Sequence, residues 1–216
     1  DKLMPNPPQW LKKLVGANKA ALRSDDARRT DGDLCCKELH TVCVSARCPN
    51  RGECFSAGDA TFLILGDICT RGCKFCAVGR GKPLAPEAAE PEKIAQTALK
   101  WKLKYAVLTS PTRDDLPDGG AAHFARTVLA LKKASPGIGT EILVPDFAGS
   151  ESALATALSG TPDVFAHNVE MPRELYAKAR SGADYCRSLK LLESAARKGA
   201  LTKSGFMVGL GESMAQ

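Results

Sequence analysis

Three cysteines at short, regular spacing are the first feature that could do chemistry. Cys69, Cys73 and Cys76 form a CxxxCxxC triplet directly after an apolar stretch with strand character. Three thiolates in one short loop can bind three irons of a [4Fe–4S] cluster and leave the fourth iron open to another ligand. Structural zinc instead favours four ligands in two pairs, and no second CxxC pair lies nearby. The spacing favours an iron–sulfur cluster, with a zinc site as the alternative.

A second triplet lies upstream. Cys43, Cys48 and Cys54 follow a CxxxxCxxxxxC pattern, again three thiols without a fourth. This pattern predicts another cluster with one ligand that is not cysteine. The alternative is a local zinc knot that borrows His40.

The distribution of the cysteines argues against disulfides. The chain has nine, an odd number, and eight of them fall between Cys35 and Cys76. Disulfide frameworks belong mainly to small secreted domains with paired cysteines. We therefore interpret the clustering as metal binding, Cys35 and Cys36 as free or buried thiols, and Cys186 as a packing residue.

The overall composition excludes several classes of protein. The 30 basic and 24 acidic residues give a net charge of +6, but the basic residues are scattered and no basic run is interleaved with aromatic residues. This distribution favours a solvated surface over a nucleic-acid interface. No apolar run approaches the roughly 20 residues that cross a bilayer. We expect no nucleic acid and no membrane among the partners.

The hydrophobic pattern changes near residue 60. Residues 1–59 show little periodicity and predict an N-terminal extension, whereas residues 60–216 alternate apolar strands with helical stretches. That alternation predicts an α/β fold with a parallel sheet, whose chemistry gathers at the carboxyl ends of the strands. Five such strands suit an open or partial barrel. The predicted strands are 61–65, 105–109, 141–144, 164–167 and 203–208, and the clearest predicted helices are 151–158 and 185–198.

The CxxxCxxC loop, with its aromatic Phe75, resembles the radical S-adenosylmethionine (SAM) superfamily. This resemblance implies that SAM chelates the open iron through its amino and carboxylate groups. It also implies that an electron from the cluster cleaves SAM to a 5′-deoxyadenosyl radical, so that the cofactor carries the difficult chemistry.

Longer stretches narrow the resemblance to the lipoyl synthase family. LHTVCVSARCPNRGECF (39–55) and ATFLILGDICTRGCKFCAVGRGKP (60–83) carry the two triplets in the family's order and separation. Later stretches also match, and the resemblance spans nearly the whole chain: TSPTRDDLPDGGAAHFA, EILVPDFAG, PDVFAHNVE, ADYCRSL and TKSGFMVGLGE. The implied fold is a partial (βα)6-type TIM barrel with a cysteine-rich N-terminal extension.

The lipoyl synthase resemblance also implies a reaction and a set of site residues. The reaction is insertion of two sulfur atoms at carbons 6 and 8 of a protein-bound octanoyl group. The downstream triplet would hold the radical-generating [4Fe–4S] cluster and the upstream triplet a sacrificial [4Fe–4S] cluster that donates sulfur. The implied SAM contacts are Phe75, Ser110, Arg113, Asn168, Glu170, Arg187, Gly209 and Glu212.

Several of these residues have simpler interpretations. Asn168 and Glu170 could merely close a loop, and Arg187 could form a surface ion pair. His167 is interpreted as a hydrogen-bonded residue at a strand end without a catalytic role.

The resemblance implies partners as well. The expected substrate carrier is an octanoylated lipoyl domain of the E2 subunit or glycine cleavage H protein type. The expected electron donor is flavodoxin or ferredoxin, and the expected location is the cytoplasm. Two alternatives stay open: another radical SAM protein with an auxiliary cluster, and a zinc-stabilised basic binding module.

The chain departs from the family pattern in two places. Ser110-Pro111-Thr112-Arg113 stands where the family usually reads Ser-Val-Asp-Arg. Family members also continue through a sixth strand to a serine that binds the sacrificial cluster. We do not assign this role to Ser213, because its surroundings match the turn after the fifth strand. We therefore expect a fragment that binds clusters but completes little or no sulfur insertion. Lipoyl product formed at full rate by these 216 residues alone would contradict this expectation.

Overall fold

A computed structural model of the chain describes Gln9 and residues 39–45, 48 and 50–213. The strands of this part of the chain are β1 His40–Thr41, β2 Asp59–Leu63, β3 Ile68–Cys69, β4 Gly79–Arg80, β5 Tyr105–Thr109, β6 Gly139–Leu143, β7 Val164–Ala166 and β8 Thr202–Lys203. Six of them form one sheet in the order β1-β2-β5-β6-β7-β8. The β1–β2 pair is antiparallel and the other pairs are parallel.

The helices pack around this sheet, and their starts follow from the sequence. The described helices are α1 Val42–Ser45, α2 Arg51–Ala57, α3 Glu90–Lys100, α4 Ala121–Ala134, α5 Glu151–Leu158, α6 Arg173–Ala179 and α7 Tyr185–Arg197, with a 3-10 turn at Phe147–Gly149. Pro91 stands in the first turn of α3, where its missing N–H needs no partner. The Ser150 hydroxyl accepts the Ala153 N–H at the start of α5, and the Asp184 carboxylate accepts the Arg187 N–H at the start of α7. Among these described helices, none has both the length and the apolarity needed to span a bilayer.

The core begins with one row of side chains across the sheet. Phe62, Leu108, Ile142 and Phe165 are paired in register on four adjacent strands, and each is fully buried. Side chains alternate between the two faces of a strand, so this row is one continuous apolar face. The helices cover that face with residues such as Phe124.

The same register aligns the strand ends. Leu63, Thr109, Leu143 and Ala166 pair across β2, β5, β6 and β7 at the carboxyl end of each strand. The loops that follow therefore leave the sheet along one edge. The predicted chemistry lies in these loops.

The predicted α/β fold with an open, mainly parallel sheet is confirmed. The predicted strand 105–109 and the predicted helix 151–158 match β5 and α5, and the predicted strands 141–144 and 164–167 correspond to β6 and β7 with ends that differ by at most two residues. The predicted strands 61–65 and 203–208 are wrong in extent. Strand 61–65 ends early because Leu65 takes a φ of 66° and donates its N–H to the buried carboxylate of Glu90 at 2.8 Å. Strand 203–208 shrinks to Thr202–Lys203, with one isolated bridge between Glu170 and Phe206 beyond it.

The boundary between extension and barrel at residues 59 and 60 stays a prediction. The structure adds a strand that the sequence pattern did not indicate, because β1 lies within the predicted extension and pairs with β2. Cys35 and Cys36 lie outside the described residues.

We expect the apolar face beneath α4 to control stability. Phe124 is fully buried on α4, while Leu129 on the same helix is 51% exposed. Phe124→Ala should lower the free energy of unfolding by about 3–5 kcal/mol because it leaves a cavity. Leu129→Ala should change it by less than about 0.5 kcal/mol. Urea unfolding of the metal-free protein measures both, and equal losses would contradict the assignment of this core.

Candidate functional site

The CxxxCxxC triplet lies in the loop that follows β2. Cys69 ends β3, and the Gly81 N–H donates to the Cys69 carbonyl at 3.1 Å, which closes the loop at its base. The backbone N–H groups of Arg71 and Thr112 each donate to the Cys69 sulfur at 3.3 Å. Such donors stabilise a thiolate and tune a sulfur that is bound to metal.

The three thiols of this loop influence one another. Burial raises the pKa of Cys73, the guanidinium of Arg180 acts against this, and the neighbouring thiols of Cys76 and Cys69 raise the pKa further. The thiols of Cys76 and Cys69 therefore lie close enough to Cys73 to disfavour its ionisation. A bound metal removes that penalty because it binds the thiolate form.

Arg71 joins this loop to the ends of β5 and β6. Its guanidinium donates to both oxygens of Asp114, at 2.7 Å each, and to both oxygens of Asp146, at 2.9 and 3.1 Å. Asp146 is almost fully buried and also accepts a hydrogen bond from Arg187 Nη1 at 3.1 Å. Burial acts to raise the pKa of Asp146, but Arg71, with help from Arg187, holds it below its ordinary value. Asp146 therefore stays ionised.

The upstream triplet forms a separate group beside β2. Cys43 lies in α1, Cys54 lies in α2, and the Cys48 N–H donates to the Cys43 carbonyl at 3.0 Å. Burial raises the pKa of Cys43. A hydrogen bond from the Thr61 backbone acts to lower this pKa, and the charge of Cys48 acts to raise it further. Burial, followed by the charges of Cys43 and Cys48, raises the pKa of Cys54. The three sulfurs of this triplet thus share one environment.

The donor set of both triplets fits an iron–sulfur cluster in type. The cysteines in the described part of the chain are all free thiols rather than disulfides. Within the same residues, three or more His, Cys, Asp or Glu side chains nowhere converge closely enough to hold a metal ion. The thiol side chains would therefore turn toward the metal as it binds.

Two predicted SAM contacts lie at the ends of β5 and β7. The buried hydroxyl of Ser110, directly after β5, has no hydrogen-bond partner among the described residues. A buried hydroxyl without a hydrogen-bond partner is what a ligand-binding site would contain if the ligand supplied that hydrogen bond. Glu170, after β7, has a φ of 73°. Burial raises the pKa of its carboxyl, although a hydrogen bond from Asn168 acts to lower it. A Cβ at position 205 would lie 2.6 Å from Asn168 Oδ1, so Gly205 is required for this close approach.

Arg113 is only 1% exposed. Its guanidinium binds Asp115 through two hydrogen bonds of 2.8 Å and donates to the carbonyls of Leu65 and Leu84 at 2.9 Å. The arginine therefore joins the loops after β2 and β5, and its predicted SAM contact stays a prediction.

The other predicted contacts lie around the same edge. Phe75 packs against the small apolar group of Val169, Met171, Leu175 and Tyr176. Glu212 accepts the N–H groups of Gly209 and Leu210, which closes the turn after β8 and lowers the pKa of this carboxyl. Neither observation tests their predicted roles.

Two single residues have clear outcomes. His167 is fully buried at the end of β7, with Nδ1 2.8 Å from the Val144 carbonyl and Nε2 2.9 Å from Ser188 Oγ. Its prediction as a hydrogen-bonded strand-end residue is confirmed.

The prediction of Cys186 as a packing residue is wrong, because Cys186 lies in the exposed first turn of α7, where Arg173 donates to its sulfur at 3.0 Å.

The arginine and its two carboxylates were missed by the sequence interpretation. Arg71 stands between two cysteines, and Asp146 follows β6 in the stretch VPDF. Charged residues in loops at strand ends were the available signal. Their pairing spans 43 and 75 residues of sequence, which no local pattern reveals.

Comparisons with known proteins give matches in both sequence and fold. The family model described as the radical SAM superfamily matches residues 63–216. The lipoyl synthases of Caldanaerobacter subterraneus subsp. tengcongensis and Oleidesulfovibrio alaskensis are 50% and 49% identical to 95% and 97% of this chain, which covers 70% of each relative. That of Trichlorobacter lovleyi is 51% identical over 96% of this chain and 72% of its own length. The crystal structure of methylornithine synthase shares the fold, with a TM-score of 0.55 at 15% identity, over 94% of this chain and 60% of that chain.

The buried imidazole of His167 predicts a pH dependence of stability. Burial lowers its pKa from 6.5 to about 4. The imidazole therefore binds a proton near pH 6.5 in the unfolded chain but only near pH 4 in the folded chain. Stability is lost as the pH falls through this interval, by up to about 3 kcal/mol.

His167→Gln should be less stable than the parent at pH 7 but should lose less of its stability on acidification. Chemical unfolding of the metal-free protein between pH 7 and about 4 measures this difference. Parallel stability curves for parent and variant would show that another group is responsible.

Proposed function

Because this chain belongs to the lipoyl synthase family of radical SAM enzymes, a sulfurtransferase family, we propose that its two cysteine triplets each hold one [4Fe–4S] cluster. The function of the chain is lipoyl synthesis. Family membership implies SAM and an iron–sulfur cluster as cofactors. The count of two clusters and the division of labour between the triplets are our proposal, and they rest on the six thiols and their grouping.

We assign the radical-generating cluster to Cys69, Cys73 and Cys76. When bound there, the cluster supplies the electron that cleaves SAM into methionine and a primary carbon radical, which is strong enough to take hydrogen from an unactivated carbon. The protein's part is positional. The N–H groups of Arg71 and Thr112 stabilise the Cys69 sulfur, and Phe75 packs the loop against the apolar group of Val169, Met171, Leu175 and Tyr176.

We assign the sulfur-donating cluster to Cys43, Cys48 and Cys54. Support comes from the raised pKa values of Cys43 and Cys54, to which the charges of the other thiols contribute, and from the hydrogen bond of Thr61 to the Cys43 sulfur. In this proposal that cluster is the source of both sulfur atoms inserted at carbons 6 and 8 of the octanoyl group. The N-terminal extension, residues 1–59, would then be the part of the chain that carries sulfur.

We propose that SAM lies along the edge where the strands end. Ser110 offers an orphaned buried hydroxyl, and the half-buried carboxylate of Glu170 offers an acceptor for the amino group of SAM. Asn168 orients that carboxylate through a hydrogen bond. The further proposed contacts are Phe75, Arg113, Arg187, Gly209 and Glu212.

The family implies an octanoylated lipoyl domain as substrate carrier and a reductant. We propose specifically a lipoyl domain of the E2 or glycine cleavage H protein type, and flavodoxin or ferredoxin as the electron donor. We also propose a cytoplasmic location, because thiols that must bind metal suit a reducing compartment.

The assignment of the clusters is tested by iron and sulfide content after anaerobic reconstitution. The triple variant Cys69→Ala, Cys73→Ala, Cys76→Ala and the triple variant Cys43→Ala, Cys48→Ala, Cys54→Ala should each lose about half of the iron of the parent chain. Only the first should lose reductive cleavage of SAM. Cys186→Ala, at an exposed cysteine outside both triplets, should keep all of the iron. Full iron in either triple variant, or zinc in place of iron, would contradict the assignment.

The reaction is tested with an octanoylated lipoyl-domain peptide, SAM and a chemical reductant. With the reconstituted parent chain, mass spectrometry should detect only a small fraction of peptide that has gained one or two sulfur atoms, in line with the expectation that these 216 residues complete little sulfur insertion. The upstream triple variant should still cleave SAM but add no sulfur, since its sulfur source is gone. Sulfur addition by that variant would rule out the upstream triplet as the donor.

A further inference from the structure

Arg71 binds two carboxylates, although it is neither a predicted SAM contact nor a thiol ligand. It lies between Cys69 and Cys73, and its side chain is 10% exposed. Four of the five guanidinium N–H groups are engaged by two carboxylates. A guanidinium that binds two carboxylates bidentately is fixed in position and in orientation.

The first carboxylate belongs to a rigid part of the fold. Asp146 is 1% exposed and also accepts the N–H of Ala148 at 3.1 Å and a hydrogen bond from Arg187. The following residues, Phe147 and Ala148, have φ angles of 46° and 51°, a conformation that is unfavourable for residues with a Cβ. Strained backbone of this kind persists where the surrounding contacts hold it, and it is concentrated at functional sites.

The second carboxylate joins the loop to the end of β5. Asp114 accepts two hydrogen bonds from Arg71 and one from Thr70 Oγ1 at 3.1 Å. Thr70 also donates its backbone N–H to the Thr112 carbonyl at 3.0 Å, and its hydroxyl oxygen lies 2.9 Å from the same carbonyl. Asp114 is 41% exposed, so water competes for its charge and this second attachment is the weaker one.

The turn between α6 and α7 encloses the loop from a third side. Gly182 has a φ of 75°, and a Cβ there would lie 3.2 Å from Arg71 Cδ. The Lys74 N–H donates to the Ala179 carbonyl at 2.8 Å. The loop has only the two-residue strands β3 and β4 as regular structure, so these contacts supply most of its order.

We propose that Arg71 is a positioning residue that holds the cysteine loop against the ends of β5 and β6 before any metal is bound, with Asp146 as its main anchor. The inference rests on the proposed role of this loop as the holder of the radical-generating cluster. Lysine cannot replace Arg71, because one ammonium group cannot bind two carboxylates bidentately. A loop held in this way would keep its backbone at a fixed distance from the strand ends, where SAM is proposed to lie, so that only the thiol side chains need to turn when metal binds.

The first test uses the metal-free chain, so it does not depend on cluster chemistry. Amide hydrogen exchange in peptides covering residues 69–76 should be about tenfold faster in Arg71→Lys and Asp146→Asn than in the parent. Asp114→Asn should have a smaller effect, because this carboxylate is partly exposed. Arg197→Lys, at an exposed ion pair on α7, is the matched control and should exchange like the parent.

The hydrogen-exchange result overturns the proposal if the loop exchanges equally in the parent and in Arg71→Lys. A larger effect of Asp114→Asn than of Asp146→Asn would overturn the choice of anchor. Should Asp146→Asn fail to fold, as judged by its unfolding curve, Arg71→Lys and Asp114→Asn still decide the matter.

The second test uses the reconstituted chain. Arg71→Lys keeps all three thiols, so its iron content should equal that of the parent, while SAM cleavage at saturating SAM should fall about 10- to 100-fold. The electron paramagnetic resonance spectrum of the reduced cluster with SAM should change as well. Parental cleavage rate and spectrum would overturn the proposal. If Cys69→Ala keeps all of its iron, the cluster assignment has failed. If Cys69→Ala loses iron but Arg71→Lys cleaves SAM at the parental rate, only the positioning role has failed.

Discussion

Parallel pairing in a single register is the constraint on which this structure depends. Phe62, Leu108, Ile142 and Phe165 occupy one level of four strands, and the apolar face that they form fixes that register, since a slip by one residue would turn each of them away from the helices. The strand ends then lie side by side without further contacts. Residues far apart in the sequence meet there because the loops that carry them begin on one line.

Charge balance is the second requirement at this edge. Three thiols, two aspartates and a half-buried glutamate lie along it, and burial works against the ionised forms of Cys73, Asp146 and Glu170. The arginines Arg71, Arg180 and Arg187 offset that cost from within the loops and helices that frame the site. Buried ion pairs contribute little net stability, but removal of one partner is costly, so such pairs specify geometry more than they stabilise it.

The sequence predicted those features that depend on local patterns. Apolar alternation in YAVLT located β5, and cysteine spacing located both thiol groups, because each lies within about a dozen residues. The pattern failed where a distant group decides the backbone conformation. Leu65 belongs to an apolar run, yet its N–H turns to Glu90, which is 25 residues away. The bonds of Arg71 to Asp146 were equally invisible, because they depend on the register of two strands rather than on any motif.

The face of the sheet that points away from the helices is polar, unlike the apolar face that the helices cover. Next to the apolar row, Thr61, Val107 and Glu141 pair at one level but point to the opposite side. Glu141, itself only 4% exposed, binds Lys203 at 2.9 and 3.0 Å and the hydroxyl of Tyr105 at 3.0 Å, and burial together with that carboxylate raises the pKa of Tyr105 to about 12. Polar groups at this level would be costly in a barrel filled only by apolar side chains. One face of the sheet therefore carries the apolar core, while the other carries paired polar groups and leads to the edge with thiols and carboxylates.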